Sequence, residues 1–254
     1  MAATPLILSL ETATLGGSVF LGRGSMQLAS RSGDPQVSQS SSLLQDINDC
    51  LEEVDVSLRD IDLFACASGP GSFTGLRIGI ATLKALAASL KRPCVGIPTL
   101  QAVAYAAGSS GATVALMPAG RGEVFAQMFS VSDDEIVSEI DVAAHLSPQK
   151  LVERYAPFIN LKWAGVGAHV QRDFLKRYAQ KQGIIFVEDE HESNNRAIEP
   201  GGNIWQLAAK EVNLAKHVAV LALRAYEMGR VSSAHSLSAI YVRPSDAELN
   251  EQCR

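Results

Sequence analysis

The chain is poor in the groups that most direct chemistries need. Its four cysteines (Cys50, Cys66, Cys94 and Cys253) stand far apart with no C-x-x-C pair, and three lie inside apolar segments. They read as reduced core thiols of an intracellular protein, not as a disulfide frame. The nearest two of its five histidines, His217 and His235, are 18 residues apart, so no i, i+4 pair can chelate one ion from a helix face. No Lys/Arg run stands out among 22 basic and 27 acidic residues, and the net charge is −5. A basic face for gripping a polyanion is therefore not expected. MAATPLILSLETAT has no basic region before a sustained apolar run, and no apolar stretch is expected to reach the ~18 residues of a membrane span. A cytoplasmic protein without a membrane partner is the expectation. Nucleophile and phosphate-loop spellings also fail. Ser72 is not in G-x-S-x-G, and no Lys follows the last glycine of Gly69–Gly75.

What is present centres on Gly69-Pro70-Gly71-Ser72-Phe73-Thr74-Gly75-Leu76-Arg77-Ile78-Gly79, which joins an apolar strand at Leu63 to Ala67 to a long Ala-rich helix. Gly permits φ > 0 and Pro holds φ near −65°, so the turn is tightly defined. Ser72 or Thr74 can cap the helix, and the amides left free there attract an anion. The segment reads either as a capped turn or as an anion site. Near the N-terminus, the strand Leu6 to Leu10 ends in Glu11-Thr12-Ala13-Thr14. That run either closes a strand end or contacts phosphate.

The remaining pattern is α/β. Gly17 to Leu21 and Met26 to Ser30 flank Gly22-Arg23-Gly24 as a hairpin. Leu43, Leu44, Ile47, Cys50, Leu51 and Val54 recur at helical spacing with polar residues opposite. The helix Thr74 to Leu90, a strand at Cys94 to Ile97 and a helix opened by Pro98-Thr99 complete a β-β-β-α-β-α-β-α lobe over residues 1–108. Gly108-Ser109-Ser110-Gly111 marks the boundary to a second lobe, 109–254. There Thr113 to Met117 and Glu123 to Val131 are strands, and Ser147-Pro148 starts a helix to Tyr155. A strand at Trp163 to Val166, a helix at Val170 to Gln180 and a strand at Ile184 to Val187 follow. Glu188 to Gly202 is expected to be a mobile loop, and His217 to Gly229 the last helix. Arg121 and Glu123 read as a solvated pair at a strand start.

The helix after the glycine loop carries two apolar stripes. Leu76, Ile80, Leu83, Ala87 and Leu90 form one, and Ile78, Ala81, Ala85 and Ala88 a second of smaller residues. A helix apolar on two faces is either sandwiched within its domain or covers a sheet on one side and another chain on the other. Small residues at Ala81 and Ala85 would admit a closely packed partner helix.

ILSLETAT, GPGSFTGLRIG, VGIPTL at Val95 to Leu100, RGEVFAQMF at Arg121 to Phe129 and AIYVRPSDAEL at Ala239 to Leu249 resemble the bacterial tRNA threonylcarbamoyladenosine biosynthesis family TsaB, also called YeaZ. The likeness is strong over residues 1–131 and near the C-terminus and weak over 132–235. It implies a two-lobed actin-like ATPase (ribonuclease H-like) fold, each lobe a mixed sheet flanked by helices, with a degenerate second lobe lacking a recognisable phosphate-grasping hairpin. The helix near 217–229 would return to the first lobe.

The resemblance further implies a non-catalytic subunit that supports the catalytic paralogue TsaD, alongside the ATPase TsaE, in modifying the adenosine beside the anticodon. tRNA would be met only through the complex, and the chain alone would form a homodimer. Leu43, Ile47, Leu51, Ile78, Ala81 and Ala85 become candidate partner contacts. Glu11, Thr12, Thr14, Gly69, Gly71, Ser72 and Thr74 become candidate anion or nucleotide contacts, with ATP or ADP expected only at a partner interface. The paralogue's metal-binding H-x-x-x-H has no counterpart, because the corresponding segment is Val37-Ser38-Gln39-Ser40-Ser41-Ser42-Leu43. Pro118-Ala119-Gly120-Arg121 departs from the family's Asp-Ala-Arg spelling. A small-molecule kinase of the same fold and a metallopeptidase-like hydrolase stand as alternatives.

Overall fold

The computed structural model describes residues 4–34, 39–188 and 202–242. Two compact units form, one from residues 1–102 and 212–254 and the other from 103–211. The chain thus enters the second unit before the glycines at 108–111, and its C-terminal part belongs to the first.

The first unit is built on a five-stranded sheet of order β3-β2-β1-β4-β5. Its strands are β1 (Leu6–Glu11), β2 (Ser18–Arg23), β3 (Met26–Ser32), β4 (Leu63–Gly69) and β5 (Cys94–Pro98). β1 pairs antiparallel with β2 but parallel with β4, and β4 parallel with β5. β1 and β4 are buried along their whole length, as expected of central strands covered on both faces, which need continuous apolar runs and not alternation.

Helix α1 (Gln39–Glu53) packs on β2 and β3, and α2 (Phe73–Leu90) on β4. α3 (Thr99–Ala106) follows β5. In α2 the stripe Leu76, Ile80, Leu83 and Ala87 is buried. At 18 residues and mean hydropathy 1.3, α2 is the one described helix long and apolar enough to cross a membrane. The expectation that no apolar stretch reaches that length is thereby corrected. Arg77 and Lys84 interrupt the spelling without lowering the average far enough.

The second unit repeats four strands of that order, β8-β7-β6-β10 matching β3-β2-β1-β4, within a seven-stranded sheet. Its sheet runs β11-β12-β10-β6-β7-β8, with β9 beside β7. The strands are β6 (Ser110–Gly120), β7 (Glu123–Val131), β8 (Val137–Glu139), β9 (Ala144–Leu146), β10 (Leu161–Ala164), β11 (Ile185–Glu188) and β12 (Ile204–Leu207). The helices are α4 (Pro148–Tyr155), α5 (Val166–Val170) and α6 (Arg172–Lys181). One helix was expected where α5 and α6 stand. β8, β9 and β12 had not been expected, because three- or four-residue strands carry too few alternations to show a period. The expected loop 188–202 lies largely outside the described residues.

Trp163 and Trp205 centre this core edge to face at 4.8 Å, and Tyr178 stacks on Trp205 at 5.7 Å. A hairpin missed in the sequence joins β6 to β7, with Arg121 (φ 53°) and Gly122 (φ 78°) as its two left-handed turn residues. A two-residue Arg-Gly turn shares nothing with the acid-and-hydroxyl run of the first unit, so no local spelling marks it. Nor do Arg121 and Glu123 pair. Glu123 Oε2 lies instead 2.8 Å from His145 Nε2, out of hydrogen-bond alignment.

The last described helix, α7 (Leu214–Glu227), packs within the first unit on β1, β2, β4 and β5. Asn213 caps it through Lys216 N–H, and Ser18 Oγ accepts the Ala215 N–H at 3.0 Å.

Candidate functional site

Two loops of the first unit meet at the ends of neighbouring parallel strands. One follows β1 and carries Glu11, Thr12 and Thr14. The other follows β4 and carries Gly69, Gly71, Ser72 and Thr74. Parallel pairing of β1 with β4 brings the two sets to the same edge of the sheet, and Ser72 N–H donates to Ala13 O at 2.8 Å.

Glu11 is buried, and Thr14 engages both of its oxygens. Thr14 N–H donates to Oε1 at 2.7 Å, and Thr14 Oγ–H to Oε2 at 2.6 Å. Burial pushes the Glu11 carboxyl above its ordinary value, and the Thr14 bonds only partly offset this. Thr12 is also buried and faces α2, where a Cβ on Gly79 would collide with Thr12 Oγ1. Only glycine at that helical position lets the loop sit so close.

In the second loop Ser72 is the N-cap of α2, its hydroxyl accepting Gly75 N–H at 3.2 Å. Of the two hydroxyls offered as caps, Ser72 serves and Thr74 stays exposed. The left-handed backbone falls at Gly69 (φ 114°), before a cis Gly69–Pro70 bond, and not at Gly71 or Gly75. Gly71 is needed for space, since a Cβ there would lie 2.6 Å from Ala13 Cβ. Two residues outside the expected set take part. Thr99 Oγ1 accepts Gly69 N–H at 3.0 Å, and Ile240 N–H donates to Ser68 O at 2.7 Å. Both belong to the quoted segments VGIPTL and AIYVRPSDAEL, whose spelling marked them without revealing what they touch. Residues 243–249 of the latter lie outside the described residues.

The expected partner surface divides in two. Leu43, Ile47 and Leu51 are buried on the side of α1 that packs on β2 and β3, which corrects their assignment as partner contacts. An amphipathic helix had shown which of its residues are apolar, but its own sheet takes them. Ala81, Ala85 and Ala88 face outward, with Ile78 half-buried beside them, so the small-residue stripe of α2 is free in this chain. Among the described residues no cluster of three or more His, Cys, Asp or Glu side chains comes together as a metal site.

A sheet of order 3-2-1-4-5 in the first unit, its first four positions matched by β8-β7-β6-β10 in the second, with loops gathered at the ends of the first unit's central strands, defines the actin-like, sugar-kinase and Hsp70 class of folds. A structure of YeaZ from Pseudomonas aeruginosa matches with a TM-score of 0.70 over 93% of this chain and 99% of that one, at 23% identity, a likeness of fold. The family described as TsaD, tRNA N6-adenosine threonylcarbamoyltransferase, matches residues 37–199. The Escherichia coli protein described as tRNA threonylcarbamoyladenosine biosynthesis protein TsaB is 33% identical over 63% of this chain and 70% of its own length. The Bacillus subtilis protein of the same description is 26% identical over 57% of this chain and 62% of its own length. The chain belongs to the TsaB (YeaZ) family, within the wider group that includes the TsaD transferases.

Proposed function

We propose that this chain is the non-catalytic subunit that supports TsaD in tRNA threonylcarbamoyladenosine biosynthesis. It docks TsaD through the outward face of α2, with Ile78, Ala81 and Ala85 central, and works alongside TsaE. tRNA is met through that complex, in the cytoplasm, and free chains cover the same face by pairing with one another. A nucleotide, where one is held, belongs to the partner interface.

The observation that carries the reading is the self-satisfied state of the two loops. Glu11 turns both oxygens to Thr14, and Ser72 gives its amide to Ala13 O. A phosphate-handling site needs those groups unspent, aimed at ligand and metal. The free small-residue stripe supports the partner half, because short side chains allow helix axes to approach toward the near end of ~8–10 Å.

The test is sedimentation of the wild type, Ala81→Glu and Ala85→Glu, alone and mixed with TsaD, with circular dichroism as a fold control. Both charged variants are expected to lose association by ~100-fold or more, since a buried unpaired carboxylate costs several kcal/mol. Folded variants that assemble with wild-type affinity would place the interface elsewhere. Tight Mg·ATP binding by the chain alone would favour the kinase alternative.

A further inference from the structure

The segment after α7 makes contacts that neither the strand order nor the partner reading requires. It joins the edge strand at one end, where Ser232 N–H donates to Cys94 O at 2.8 Å and Cys94 N–H to Ser232 O at 3.1 Å. Ala234 and Leu237 are then buried, and Leu237 lies over Gly96, where a Cβ would come within 2.7 Å of Leu237 Cδ1. Lys84 of α2 ties the same stretch from the other side, donating to Leu237 O at 3.0 Å and reaching His235 O at 3.5 Å. At the far end Ile240 N–H donates to Ser68 O, and Ile240 O presses on Gly69 so closely that a Cβ there could not be accommodated. Tyr241 finishes the path against the first turns of α2, its ring 5.5 Å from that of Phe73 and its hydroxyl 3.5 Å from Arg77 Nε. Arg77 in turn lies 3.7 Å over the Phe73 ring.

We infer that residues 232–241 form a latch that holds the glycine loop in shape and joins its state to the outward face of α2. The loop has few ties of its own: Gly69 to Thr99, Ser72 to Ala13 and the Ser72 cap. The tail closes the side those ties leave open, meeting the loop at Ser68–Gly69 and the helix at Phe73 and Arg77. Phe73, Arg77 and Ala81 follow one another at i, i+4 spacing, so the tail's last ring stands in line with the free stripe of α2. Release of the tail would loosen both together. The inference stands without the partner reading, because every contact in it lies within this chain.

The test is hydrogen exchange on the full chain, comparing wild type with Leu237→Ala, with Leu237→Ala/Tyr241→Ala and with Tyr241→Phe. The Ile240 amide reports the tail, and the Gly69 and Ser72 amides report the loop. Those of Leu8 and Leu116 report the two sheets and reveal any general unfolding. The double variant is expected to speed exchange at Ile240, Gly69 and Ser72 by ~10-fold or more with Leu8 and Leu116 unchanged, the mark of a local opening. Leu237→Ala alone should do so partly, and Tyr241→Phe, which keeps the ring, should match wild type. Loss of protection at Ile240 with Gly69 and Ser72 still protected would overturn the latch. So would an Ile240 amide that stays protected in the double variant.

Discussion

Thr14 closes on Glu11 from both ends of the carboxylate, the backbone N–H on one oxygen and the hydroxyl on the other. The pair holds the acid at the end of β1 inward, where it is almost wholly buried. Burial then dominates, and the folded chain holds the Glu11 proton more tightly than the unfolded chain does. For a raised acid, stability falls as pH rises from about 4.5 through the folded value, and the whole penalty is present above it. Glu11→Gln keeps an acceptor for the Thr14 amide and a donor for its hydroxyl. It should melt higher than wild type near ~pH 8 and converge with it below ~pH 4. A Gln variant that melts lower at high pH and equally at low pH would mean that the carboxylate stabilises the fold.

Gly69 and its neighbours should rank by mechanism in chemical denaturation. Gly69→Ala puts a Cβ against Ile240 O at a backbone angle that favours glycine, and is expected to cost ~1–3 kcal/mol or more. Ser72→Ala loses the cap of α2, at ~0.5–2 kcal/mol. A Gly69→Ala midpoint equal to wild type would show that the loop and tail shift apart easily.

The two helices should respond oppositely to substitution. Ile47→Ala removes buried apolar volume beneath α1 and is expected to cost ~2–5 kcal/mol in the isolated chain. Ala81→Ser, on the outward face of α2, should stay within about ±0.5 kcal/mol. Urea midpoints of the two variants decide it, and a near-neutral Ile47→Ala would return α1 to the candidate partner surface.

The buried thiols should be inert. Burial pushes Cys66 up to about 12 and Cys50 up to about 11, so almost none of either is thiolate at neutral pH. In a Cys253→Ser background, labelling by an aromatic disulfide reagent near ~pH 8 should track unfolding and rise sharply only with denaturant. Rapid labelling of the native chain would reveal an opening on the α1 or β4 side.

Much of the first unit was legible because its elements are long and its signals local. β1 and β4 announce themselves as apolar runs, α2 by its cap and periodicity, and β2–β3 by the glycines between them. The second unit was harder to read. β8, β9 and β12 are too short to show a period, and the Gly120–Glu123 hairpin has the spelling of a plain turn. The candidate site was legible in part. Glu11, Thr12, Thr14, Gly69, Gly71 and Ser72 do converge, but Thr99, Gly79 and Ile240 enter through contacts tens to hundreds of residues apart in the chain.

The sequence by itself determined an α/β pattern, the capped strand-to-helix turn and the presence of two apolar stripes on α2, since each depends on neighbours within a few turns of chain, while the two-lobed actin-like class came with the family resemblance. It also showed that no histidine pair at helical spacing exists. Only the tertiary structure decided that Leu43, Ile47 and Leu51 belong to the core while Ala81 and Ala85 face out, because an apolar stripe records its wish for burial but not what covers it. Only the fold could turn Glu11 onto Thr14 and lay Leu237 and Ile240 over Gly96 and Gly69. Those contacts arise where the sheet brings distant strand ends and the returning tail to one place, and no local pattern encodes that meeting.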